Sequence, residues 1–154
     1  MVSKDKSQGY RMTDSTSPVL TEPKLTYFWL WLLIGCAYLT YIIYGSLTPN
    51  PINVAIDDFD KVMHFTAYAL LMLWFGMIFY KLTVRYVLLA SFIALGVGLE
   101  FAQQAGGVRY FEYADMIANS LGVLAGFLVT RKCGKYHLYR IEQRLLISAT
   151  KQNG

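Results

Sequence analysis

Charge is scarce in this chain, and over long runs it is nearly absent. Only 16% of the 154 residues are charged and 55% are hydrophobic, against about 25% charged and 45–50% apolar in ordinary globular domains. The apolar residues form four long blocks rather than an amphipathic scatter, which excludes a soluble core of this size. Cysteine is nearly missing too. Cys36 falls inside the first block and Cys133 follows the last, so no disulfide framework is expected and both read as unpaired small hydrophobes. No apolar core follows the first charges, so the opening segment is not expected to act as a signal peptide. There is no His-Glu-x-x-His pair or comparable ligand spacing and no Gly-x-Ser-x-Gly elbow, so no metal or cofactor is expected. The net charge of +4 builds no aromatic-interleaved groove or recognition helix, and nucleic acid is not an expected partner.

What is present predicts an all-α integral membrane four-helix bundle with a cytoplasmic amphipathic C-terminal helix. Residues 1–26 read as a disordered cytoplasmic arm, 27–130 as the membrane domain and 131–154 as a basic cytoplasmic tail. Spans are expected over Tyr27–Leu47, Asp60–Tyr80, Tyr86–Gln104 and Tyr113–Thr130; at about 1.5 Å per residue each crosses, or nearly crosses, a hydrocarbon layer of roughly 30 Å. Prolines 49 and 51 end the first. The Lys81–Arg85 link makes the second and third an antiparallel hairpin, and Ala105-Gly106-Gly107 breaks the third. In the tail, Leu138, Ile141 and Leu145 share one helical face, the pattern of a basic amphipathic helix lying on the inner leaflet. Twelve of the fourteen Lys and Arg residues fall in the arm, the middle link and the tail. The positive-inside rule then puts both termini in the cytoplasm.

Ionisable groups inside spans are costly and usually face a bundle interior where they act. Asp60, Lys61 and His64 open the second span, Glu100 with Gln103 and Gln104 closes the third, and Asp115 with Asn119 opens the fourth. Converting rise into depth puts His64, Glu100 and Asp115 in one layer roughly 21–24 Å from the cytoplasmic boundary. Arg109, on the loop before the fourth span, is placed to fold over that layer. Asp60 and Asp115 would also serve as helix caps, but Glu100 lies near a helix C-terminus and needs a partner, taken to be Arg109 or His64. Small-residue stripes, Ala118-Gly122-Gly126 and Ala94-Gly98-Ala102, predict tight packing of spans three and four.

The run Asp60-Lys61-Val62-Met63-His64-Phe65, then Glu100 with Gln103 and Gln104, Arg109, and Asp115-Met116-Ile117-Ala118-Asn119-Ser120-Leu121-Gly122 resembles the VanZ-like family of small bacterial membrane proteins. The resemblance covers roughly residues 25–130. The resemblance implies a multi-pass protein of the bacterial inner (cytoplasmic) membrane, in a family associated with low-level resistance to the lipidated glycopeptide teicoplanin. Three uses of the residues stay open. The first is an outer-leaflet pocket of Asp60, Lys61, His64, Glu100, Gln103, Gln104, Arg109, Asp115 and Asn119 that binds an envelope lipid or lipid-linked small molecule. The second is a lipid head-group hydrolase or transferase with His64 as base, or a metal held by His64, Glu100 and Asp115. The third is a structural subunit of a membrane complex, although the residues name no protein partner.

Overall fold

The computed structural model describes residues 24–48, 59–107, 112–132 and 137–152. They form five helices: α1 Phe28–Leu47, α2 Phe59–Ile78, α3 Leu82–Ala105, α4 Tyr113–Lys132 and α5 His137–Gln152. The first four are long and apolar enough to cross a membrane, as the composition requires. They keep their backbone hydrogen bonds internal, which any segment in hydrocarbon must do. Trp29, Leu33, Tyr41, Tyr44, Val87, Ile117 and Leu121 all face outward, a surface that water would not tolerate and lipid does. Among the described residues the expected all-α bundle with a separate amphipathic helix is therefore present.

The third helix begins about a turn earlier than expected. Arg85 is not link but helix: its N–H donates to the Lys81 carbonyl at 3.1 Å. Its side chain is buried, with Nε on the Phe79 carbonyl (2.8 Å) and Nη1 on the Thr130 carbonyl (3.2 Å). A guanidinium thus answers open carbonyls beyond the end of α2 and in the last turn of α4, where the helix dipoles favour a cation. Hydropathy placed the boundary late because it weighs a charge against lipid and not against two carbonyls.

The expected partner of the α4 stripe is also corrected. Gly122 and Gly126 lie against α2, not α3: a Cβ on Gly122 would fall on the Phe65 carbonyl oxygen, and one on Gly126 on that of Ala69. Further along, Gly76 of α2 leaves room for Thr130, whose Cγ2 would be 2.7 Å from an added Cβ. The pairs 65–122, 69–126 and 76–130 ascend together, so α2 and α4 run parallel. Ala94, Gly98 and Ala102 of α3 are exposed, and an added Cβ at Gly98 meets open space. The stripe needs carbonyls to approach, and α2 presents them. The core between the helices is Tyr68, Leu71, Met72, Phe75, Phe92, Val123 and Phe127, with Phe75 and Phe92 rings edge to face at 5.4 Å.

The tail helix does more than lie on a leaflet. Leu138 and Glu142 are buried against the bundle while Ile141 and Leu145 stay exposed, so the expected apolar face is split. Glu142 accepts the Thr26 N–H (2.8 Å), the Tyr27 N–H (2.7 Å) and the Trp31 indole N–H (3.1 Å). It supplies from another helix the cap that α1 lacks at Tyr27. Burial alone would raise the Glu142 pKa, but the backbone bonds from Tyr27 and Thr26, with that from the indole, outweigh it and hold the carboxyl below its ordinary value.

Two outcomes are expected. Gly122→Val forces α2 and α4 apart and lowers stability by about 1–3 kcal/mol, whereas Gly98→Ala leaves the unfolding midpoint in detergent unchanged. For Glu142, a depressed folded-state pKa gives stability that is present above the unfolded value and lost as pH falls through the folded one. Docking of α5 is then constant near neutrality and loosens on acidification below about 4.5. Glu142→Gln loosens it already at neutral pH by about 1.5–3 kcal/mol, read as faster amide exchange along α5.

Candidate functional site

The polar residues gather at the end of the bundle opposite Arg85 and Glu142. On α2, Asp60 and His64 are one turn apart and share a face. On α4, Asp115 and Asn119 do the same. Parallel contact of the two helices, closest where Gly122 meets the Phe65 carbonyl, brings these faces together. His64 Nε2 lies 3.8 Å from Asp60 Oδ1 and 3.6 Å from Asp115 Oδ2. One ligand atom from each of Asp60, His64 and Asp115 lies within 4.8 Å of the others.

Below this cluster the polar layer continues. Asn119 is 3% exposed and Tyr68, one turn beyond His64, is 1% exposed. Asp115 Oδ1, Asn119 Oδ1 and the Tyr68 hydroxyl have no hydrogen-bond partner among the described residues. The third wall is α3 at Gly96: a Cβ there would lie 3.0 Å from Asn119 Cβ and 3.3 Å from Tyr68 Cε1. Tyr68 is not among the sequence-predicted residues, because a tyrosine carries no charge to mark it within an apolar span. The spacing Asp60, His64, Tyr68 was the available signal.

Among the described residues Glu100 is bonded not to His64 but to the start of α4; Arg109, the other expected partner, lies outside the described residues. Glu100 is 2% exposed, and its Oε1 accepts the Glu112 N–H at 2.8 Å. Glu112 immediately precedes α4, and its carbonyl receives the Asp115 N–H at 3.2 Å. The charge that is disfavoured at the C-terminal end of α3 is thus favoured at the N-terminal end of α4. The side-chain atoms placed so that they could hold a metal ion are those of Asp60, His64 and Asp115, and Glu100 is not part of that set. The alternative set of His64, Glu100 and Asp115 is corrected accordingly.

The remaining residues divide. Gln103 is buried, and its Nε2 donates to the Ser46 carbonyl at 2.7 Å, tying α3 to the end of α1. Lys61 is half-buried on α2 beside Asp60, and Gln104 is exposed. Arg109 lies outside the described residues, as does Cys133. Cys36 is a free, exposed thiol.

A family model described as VanZ/LLP1 matches residues 4–134. The chain belongs to the VanZ/LLP1 family. The match takes in the whole of α1 to α4 and begins well before the motifs that carried the resemblance. This VanZ/LLP1 chain is also 32% identical over 123 residues to the uncharacterized protein C11E3.10 of Schizosaccharomyces pombe, covering 78% of the chain and 68% of the relative. That relative is a eukaryotic protein. No solved structure matches.

Glu100 offers a test that separates strap from ligand. Glu100→Gln keeps an acceptor for the Glu112 N–H and is expected to unfold close to wild type. Glu100→Leu orphans that N–H and is expected to lose about 1–3 kcal/mol, measured as the shift in the detergent unfolding midpoint.

Proposed function

We propose that this VanZ/LLP1 protein recognises or handles a membrane amphiphile, a lipid or lipid-linked small molecule, through the polar cluster of α2 and α4. The observation that carries the reading is the pair of buried acceptors, Asp115 Oδ1 and Asn119 Oδ1, which have no partner among the described residues and lie on the face of α4 that meets His64. An unanswered buried acceptor costs about 1–3 kcal/mol, while interhelical hydrogen bonds in lipid return only about 0.6 kcal/mol each. Stability therefore gives little reason for these residues, and a ligand bearing hydroxyl or ammonium donors gives a direct one. Lys61 would meet an anionic part of the head group as a point charge, and Arg109, by sequence, would meet it in bidentate fashion.

The charge distribution supports an outer-leaflet position. Lys and Arg concentrate towards the α1 start, the α2–α3 turn and the α4 end, so the positive-inside rule puts both termini in the cytoplasm and the cluster towards the far leaflet. The family's association with resistance to a lipidated glycopeptide is consistent with an amphiphile of this kind.

Native mass spectrometry of the full chain in mild detergent tests the reading. Wild type is expected to retain lipid that Asp115→Asn combined with Asn119→Leu loses at least about tenfold, the equivalent of one charge-assisted bond. Glu142→Gln, at the other end, is expected to retain it. An identical lipid complement in wild type and the double variant would sink the proposal.

A further inference from the structure

The Asp60–His64–Asp115 cluster has a geometry that head-group recognition does not require. We infer that it binds a divalent first-row transition ion of the zinc or manganese class, held by one carboxylate oxygen each from Asp60 and Asp115 and by His64 Nε2. The inference concerns the same end of the bundle but stands without the lipid reading.

Distance is the first argument. The gaps of 3.8 and 3.6 Å from His64 Nε2 to the two carboxylates exceed the roughly 2.7–3.2 Å of a direct N–H···O bond. Ligands at about 2.0–2.2 Å from one shared ion stand roughly 3–3.6 Å from each other. The three ligand atoms lie within 4.8 Å of one another, so a contraction of up to about an ångström, within the reach of side-chain torsions, closes the site. Ligand type is the second. One imidazole nitrogen with two carboxylate oxygens suits zinc, manganese or ferrous iron, and offers no thiolate for a softer ion. With a neutral imidazole, the two carboxylates also match the charge of a divalent ion.

An independent observation lies one turn deeper. Asn119, 3% exposed, presents an unpartnered Oδ1 on the same face of α4 as Asp115, and Asp115 Oδ1 is itself unpartnered. Three protein ligands leave coordination positions open, and water or a ligand hydroxyl bound to the ion would donate to those two acceptors. Asn119 is then a positioning residue for the outer sphere. The scaffold is stiff where it matters. Asp60 and His64 are a turn apart on one helix, and Asp115 is two turns from Gly122, whose contact with the Phe65 carbonyl fixes the helices together.

The competing arrangement is a histidinium shared by two carboxylates, which needs no ion. Titration separates the two. Full-length protein in detergent, freed of any affinity tag and treated with chelator, is titrated with Zn2+ and with Mn2+ by calorimetry, and bound metal is counted by elemental mass spectrometry. One ion per chain is expected for wild type and for Glu142→Gln. Asp115→Asn and His64→Ala are expected to bind at least about tenfold more weakly, and Asn119→Leu about tenfold more weakly, the range for outer-sphere partners. Loading with Co2+ gives a visible absorption band expected to be lost in His64→Ala. Wild type that takes up neither Zn2+ nor Mn2+ overturns the inference whether or not the variants fold, as does uptake unchanged in both His64→Ala and Asp115→Asn. Lipid retention, recorded on the same samples before and after chelation, keeps the two readings apart: failure to bind metal removes only this inference.

Discussion

The close parallel contact of α2 with α4 is the constraint from which the rest follows. Two glycines of α4 rest on carbonyls of α2, an approach no larger residue permits. His64 immediately precedes the first of those carbonyls, and Asp115 lies two turns before the first glycine. The spot where the backbones come nearest is therefore next to the spot where imidazole and carboxylate meet. In lipid, where apolar surface gives no net drive for association, this steric fit brings polar groups together that would otherwise remain apart.

The two ends of the bundle treat buried charge in opposite ways. At one end Arg85 answers the carbonyls of Phe79 and Thr130, and Glu142 answers two N–H groups and an indole. Every one of those charges completes a helix terminus, and their role is structural. At the other end Glu100 is spent in the same manner on Glu112, but Asp115, Asn119 and Tyr68 keep atoms without partners among the described residues.

Much of this was legible in the residues. The four spans, the end of the first at Leu47, the break at 106–107, and the layer shared by His64 and Asp115 all follow from composition and rise per residue. The motif order pointed to the family that the comparisons show. Three features were not legible. Arg85 looked like a link because hydropathy cannot see an open carbonyl. Glu142 was one acid in a basic amphipathic tail, and its partners lie more than a hundred residues away. The α4 stripe signalled a close neighbour without saying which.

Chain order and solvent transfer energies are properties of the sequence itself, so it determined by its own means that four helices form, where they stop, and which polar residues share a depth. Depth is a one-dimensional quantity. Which faces turn toward one another is not, because any helix in a bundle can rotate and choose its neighbour at small cost in apolar burial. Only the tertiary structure decided that α4 seats against α2, that Glu100 serves a helix start, and that Asp60, His64 and Asp115 converge. Those choices rest on backbone fit and on the pairing of open N–H and carbonyl groups between distant segments.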